Sequence, residues 1–141
     1  MKLLIVMKII DQELINNLYI AADKSDRKRS HHLLHSSHQD KVQRLLIAMK
    51  QGSYVEPHYH ELPHQWEFFQ VLDGLVKVTL YSNNGTIREI FNIGDNSFIK
   101  LIELQPNEIH SVECLSEQAL LLEVKEGPFD PEFAKSFIKV N

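Results

Sequence analysis

The chain has 141 residues, a hydrophobic fraction of 43%, a charged fraction of 24% and a formal net charge of −4 with neutral histidines. That is enough chain for one domain with a core and too little for two, and the composition excludes disordered and membrane classes while giving no global attraction to nucleic acid. A single cysteine, Cys114, cannot close an intrachain disulfide, which predicts a reducing, cytoplasmic setting.

The opening MKLLIVMKII is broken by Lys8 and is too short to span a bilayer, so it reads as an N-terminal strand or staple, with Met7 an alternative start. From Asp11 to Lys24, Leu14, Ile15, Leu18 and Ala22 recur at helical spacing, and Asp11 can cap the start. The basic cluster Lys24, Arg27, Lys28 and Arg29 reads as a solvated helix end, with anion binding the alternative. In HHLLHSSH, His31, His35 and His38 share a face if the segment is helical. That spacing can hold zinc but lacks a fourth ligand nearby, so solvated or locally bonded histidines are the expectation.

After Asp40 the period changes. Short apolar stretches rich in Val, Ile, Leu and Phe alternate with turn residues, as in an all-β sandwich or barrel. Strands are predicted over 42–49, 53–60, 66–72, 75–81, 86–92, 96–104, 109–114 and 118–125, with a hairpin turn at Asn84-Gly85. The tail EGPFDPEFAKSF leaves the sheet at Pro128 and Pro131 before a short closing helix. The expected organisation is one domain: a helical extension over 1–41, a barrel over 42–127 and a tail over 128–141.

The chemistry concentrates in GSYVEPHYHELPHQWEFFQVLDG, residues 52–74. On a strand, His58 and His60 point to the same side with Cα atoms about 6.5–7 Å apart, close enough for two imidazoles to meet one ion. Glu67 shares a face with Phe69 and Val71, an arrangement that is costly for a carboxylate unless a positive charge meets it. His110, after the Pro106-Asn107 turn, supplies a third imidazole. His58, His60, Glu67 and His110 are thus the predicted ligands of a single divalent ion.

Three further residues are candidates for the surrounding chemistry. Tyr54 alternates onto the histidine face, with core packing the plain alternative. His64, in the spacer between His60 and Glu67 and beside Pro63, is expected near the ligands or facing solvent, with a rival ligand role the alternative. Arg44 either projects inward with Leu46, where it would suit a carboxylate or phosphate, or lies on the surface. Trp66 and Phe68 are expected opposite Glu67, and Cys114 as a small buried residue.

Gly52, His58, His60, Glu67 and Gly74 together resemble the first cupin motif, and Gly94-Asp95 with Pro106 to His110 resembles the second. The spacers from His60 to Glu67 and from Gly94 to Pro106 are longer than the usual cupin pattern. The stretches VQRLLIAMKQGSYVEPHYH, WEFFQVLDGLVKVTLY, EIHSV and LLEVKEGPFDP are similar to the WbuC family of cupin-fold metalloproteins. The resemblance implies an all-β, cupin-type jelly-roll barrel with a short N-terminal amphipathic helix. It also implies one divalent metal (Zn, Fe, Mn or Ni) and an association with O-antigen and related polysaccharide clusters, without supplying a reaction. The expected partner is a small molecule, a sugar or nucleotide-sugar, and the expected state a homodimer, with neither nucleic acid nor membrane involved. Three functions stay open on these residues: a sugar isomerase or epimerase, a non-catalytic sensor, and an Fe(II)-dependent oxygenase.

Overall fold

The structure, a computed structural model, describes residues 7–140; the strand or staple expected at the N-terminus falls mostly on residues 1–6, outside the described part. Helix α1 (Gln12–Lys24) starts where the Asp11 side chain accepts a hydrogen bond from the Leu14 N–H, a cap of the kind that satisfies an otherwise orphaned helix donor. Ten strands follow: β1 (Arg29–Leu33), β2 (Val42–Lys50), β3 (Tyr54–Tyr59), β4 (Glu67–Asp73), β5 (Leu75–Tyr81), β6 (Ile87–Gly94), β7 (Leu101–Leu104), β8 (Ile109–Cys114), β9 (Gln118–Glu126) and β10 (Ser136–Phe137). A 3₁₀ turn, Pro131–Phe133, is what the expected closing helix amounts to.

The strands form two five-stranded antiparallel sheets, ordered β1-β2-β9-β4-β7 and β10-β3-β8-β5-β6, stacked as a jelly roll. Their facing sides build the main core from Met49, Phe69, Val71, Val76, Val78, Ile93, Val112 and Leu121, among others. The outer face of the first sheet is not left to water. Leu46 and Ala48 of β2 and Leu120 of β9 pack under Leu18, Tyr19 and Ala22 of α1. Strands β2 and β9 are therefore apolar on both sides, and alternation along them cannot say which side is inside.

Strand β1 overturns the helical reading of HHLLHSSH. Arg29–Leu33 pair residue for residue with Met49–Leu45 of β2, so His31 sits in a strand. His35 is buried and accepts a hydrogen bond from the Arg44 N–H at 3.0 Å, while His38 stacks on Phe129 with ring centroids 5.0 Å apart. Hydrogen bonds along β2 compensate the backbone of this segment better than a short polar helix would. The strand expected over 96–104 shortens to β7 because Asp95 to Ser97 form a turn, with Asn96 at φ 62°.

Candidate metal centre

Strand β3 carries His58 as the register partner of His110 on β8, which sets the two rings 4.3 Å apart. His60 lies just past the end of β3, and its carbonyl accepts the Asn107 N–H at 2.8 Å, so the loop before β8 is tied to the loop after β3. Glu67 comes from the opposite sheet, as the first residue of β4, held between Leu104 of β7 and Lys125 of β9. One ligand atom from each of His58, His60, Glu67 and His110 lies within 4.8 Å of the others. The structure thus brings together all four residues singled out as a ligand set.

The hydrogen bonds prepare these groups for a cation. His58 Nδ1 is 2.7 Å from the Glu56 carbonyl and His110 Nδ1 is 2.9 Å from the Glu108 carbonyl. A carbonyl only accepts, so each Nδ1 carries the proton and each Nε2 turns a lone pair toward the centre. Burial, then the neighbouring His110, pushes His58 down to about 3, so its ring is neutral near neutral pH. His60 Nε2 lies against Glu67 Oε1, and His110 Nε2 is 3.5 Å from the same oxygen. All three atoms are buried, and none has a hydrogen-bond partner of ordinary geometry. Buried polar atoms without partners are uncommon and costly. Here they converge, and a divalent ion satisfies three nitrogens and one carboxylate together, so the residues present fit such an ion.

Glu123 is the residue the sequence reading passed over. It is buried on β9, beside Leu121 and Lys125 on the same cavity wall. Burial raises Glu67, yet the adjoining Glu123 carboxyl and the His110 and His60 rings beside it outweigh that and hold Glu67 well below the usual carboxylate range. Burial and the bond to Glu67 push Glu123 well above that range, so Glu123 keeps the proton the pair shares. The signal was available: in ALLLEVKE Glu123 is a carboxylate set between Leu122 and Val124, in apolar company as Glu67 is beside Phe68 and Phe69.

Tyr54 and Arg44 do not reach the site. The pairing of β3 with β8 shifts register between Val55 and His58, a bulge that reverses the alternation. Val55 therefore lines the cavity with His58, and Tyr54 is 44% exposed on the other side. Arg44 does alternate with Leu46, but that face of β2 is the outer one beneath α1, and Arg44 ends in solvent. Leu45, Ile47 and Met49 face the cavity instead. His64 lies in a turn, partly exposed, and is not among the converging residues. Cys114 is buried in the main core and unpaired, as expected.

The cavity around the centre measures about 210 Å³. Apolar side chains such as Leu45, Phe69 and Val112 form its inner wall, while Arg27, Arg29, His31, Lys125 and Lys135 stand around it. The segment bearing Arg27 and Arg29 is fastened to the barrel: the Ser53 hydroxyl donates to the Arg27 carbonyl at 2.8 Å, and Arg29 Nη1 donates to the Tyr54 carbonyl at 3.0 Å. On the other side the tail returns to β3, where Phe137 pairs with His58. The Gln65 side-chain amide Nε2 donates to the Phe133 carbonyl at 2.7 Å and anchors the same tail.

Solved structures with this fold include the capsular polysaccharide assembling protein CapF from Staphylococcus aureus, 22% identical, with a TM-score of 0.63 over 82% of this chain. Oxalate decarboxylase from Bacillus subtilis is also 22% identical, with a TM-score of 0.56 over 71% of this chain. A cupin superfamily protein from Desulfitobacterium hafniense is 14% identical, with a TM-score of 0.53 over 70% of this chain and 76% of its own. The present chain spans 33% of the CapF chain and 24% of the decarboxylase. At these identities the likeness is one of fold, and it is the cupin jelly roll. No curated protein matches the sequence. A family model does match, over residues 10–93, and the chain belongs to that family, described as a domain of unknown function, DUF6016.

Proposed function

We propose that this protein is a mononuclear metal-binding cupin whose barrel takes a small, carbohydrate-type ligand beside the ion, in the setting of surface polysaccharide formation. The observation that carries the reading is the convergence of three buried, unpartnered polar atoms from His60, Glu67 and His110, with His58 beside them. His58, His60 and His110 would hold the ion through neutral imidazole nitrogens and Glu67 through its carboxylate. A divalent ion so held supplies Lewis acidity toward a carbonyl or hydroxyl pair or, as iron, a redox centre.

This chain's own residues shape what reaches that point. A cavity of about 210 Å³ is smaller than the roughly 300–1,000 Å³ typical of ligand pockets, which favours a monosaccharide-sized group over an enclosed nucleotide-sugar. The apolar inner wall keeps water from crowding the ligand, and the Glu123 carboxyl, holding its proton, is a donor beside Glu67. The polysaccharide setting draws support from the resemblance to the WbuC family and from the fold shared with CapF. The reading extends to a cytoplasmic homodimer. The free, buried Cys114 is consistent with a reducing compartment, and the exposed Ile87, Ile90 and Leu101 on edge strands β6 and β7 offer apolar surface for a second copy.

Elemental analysis of the purified protein tests the central claim. One equivalent of a divalent metal per chain is expected, and its consistent absence after metal supplementation would overturn the reading. Turnover assays then divide the functions: oxygen uptake with iron marks an oxygenase, sugar turnover with zinc or manganese an isomerase or epimerase, and tight binding without turnover a sensor.

A further inference from the structure

The basic cluster before β1 was expected as a solvated helix end, but the fold turns part of it inward. Arg27 and Arg29 meet Lys125 from β9 and Lys135 from the tail around one cavity. Among the described residues none of the four is in a salt bridge; the ion pairs outside the metal centre are Lys77–Glu113 and Arg88–Glu108. Asp26 and Glu56 border a neighbouring pocket that shares Arg27, Arg29 and Lys135 with this cavity, and neither pairs with these cations. Lys125 instead lies over the Phe129 ring, 5.8 Å from its centroid, and Arg29 spends one donor on the Tyr54 carbonyl.

Four cations without counter-charges repel one another, and they do so in a chain whose net charge is −4. The repulsion registers in the groups themselves. Partial burial and then Arg29 lower Lys135, partial burial and then Arg27 lower Arg29, and His31 falls to about 4 through burial and then Arg29. The carboxylates deeper in the cavity are turned elsewhere: Glu67 lies against His60 and His110, and among the described residues neither it nor Glu123 forms a salt bridge with any of the four cations. A surface that only needed solubility would disperse such charges. Gathered at the entrance of a cavity, they suit a planar or tetrahedral anion, which an Arg fork binds through two parallel hydrogen bonds.

We infer that Arg29, Lys135, Arg27 and Lys125 form an anion subsite at the mouth of the cavity, and that the ligand carries a carboxylate or phosphate held there while its other end faces the metal centre. The inference rests on the proposed reading of this cavity as the ligand site and names the ligand's class: a small acid or phosphate ester, in the carbohydrate setting a sugar acid or sugar phosphate.

Calorimetric titration with inorganic phosphate and with malonate tests it near neutral pH. The wild-type protein is titrated before and after chelation, together with Lys135→Gln and Arg29→Gln/Lys135→Gln, and metal content and thermal midpoint are measured for each. At least one anion should bind, chelation should leave its affinity within about threefold, and the double variant should lose about tenfold or more at unchanged metal content. Phosphate binding alone points to a phosphate ester, and malonate binding alone to a carboxylate. Should the double variant fold poorly, Lys135→Gln, altered at an exposed position of the tail, carries the test with an expected loss of about threefold. The inference falls if neither anion binds, if the charge-removing variants bind as the wild type does, or if chelation abolishes binding. If no metal is found but the loss in the variants stands, the metal reading alone fails.

Discussion

His58 shows how much of a ligand's behaviour is set by atoms that never touch the ion. Its Nδ1 proton is committed to the Glu56 carbonyl, and the neighbouring His110 ring opposes a second proton. Replacing His58 or His60 by alanine should abolish metal binding, whereas His31→Ala and His38→Ala should retain it, as elemental analysis would show. The reverse pattern would move the site to the N-terminal histidines. Glu123 makes a separate prediction. Its carboxyl stays protonated in the fold but ionises above about 4.5 in the unfolded chain, so it contributes stability at acid pH that is lost as pH rises from there toward its folded value. Glu123→Gln needs no proton and escapes that loss. In chelated protein its stability relative to wild type should therefore increase from pH 5 to pH 8 in urea titrations, and a constant difference would contradict the shared proton.

At the level of elements, β2 explains both a success and a failure of sequence reading. Its period marks a strand without ambiguity, but α1 makes its outer side apolar as well, so Arg44 and Leu46 were open to being placed inside. Leu46→Ala should cost about 2–5 kcal/mol, because it empties a buried site between helix and sheet. Arg44→Ala should stay within about 0.5 kcal/mol and leave metal content unchanged, since the side chain is exposed. Most strands after Asp40 were legible from alternation and turn residues. Tyr54 was misplaced because a bulge leaves no mark in composition, and β1 was missed because HHLLHSSH has helical spacing by coincidence while its order comes from β2. The four ligands were legible for a different reason: chemistry restricts which residue types can face one ion. The cationic mouth was not, because Arg29, Lys125 and Lys135 lie far apart in the chain and only the fold assembles them.

For the molecule as a whole, the centre joins two sheets that otherwise share mainly apolar contacts. His58 and His110 belong to one sheet and Glu67 to the other. An ion bound there stabilises only the closed sandwich, so the thermal midpoint should rise on loading and fall on chelation. At a free metal concentration 100-fold above Kd the gain is about 2.7 kcal/mol. Scanning calorimetry with and without chelator checks this, and identical midpoints would argue against occupancy. Light scattering after size exclusion tests the homodimer, and a monomer at every concentration would remove that part of the reading.

The C-terminal tail carries a practical lesson for handling the protein. Phe137 is hydrogen-bonded alongside His58, and Lys135 stands at the entrance two residues earlier. An affinity handle fused at that end would tug on the wall of the binding chamber, and a polyhistidine one would bring rival imidazoles to its doorway. A cleavable N-terminal fusion, on a segment whose helix packs against the outer face of the opposite sheet, leaves the doorway as the chain built it.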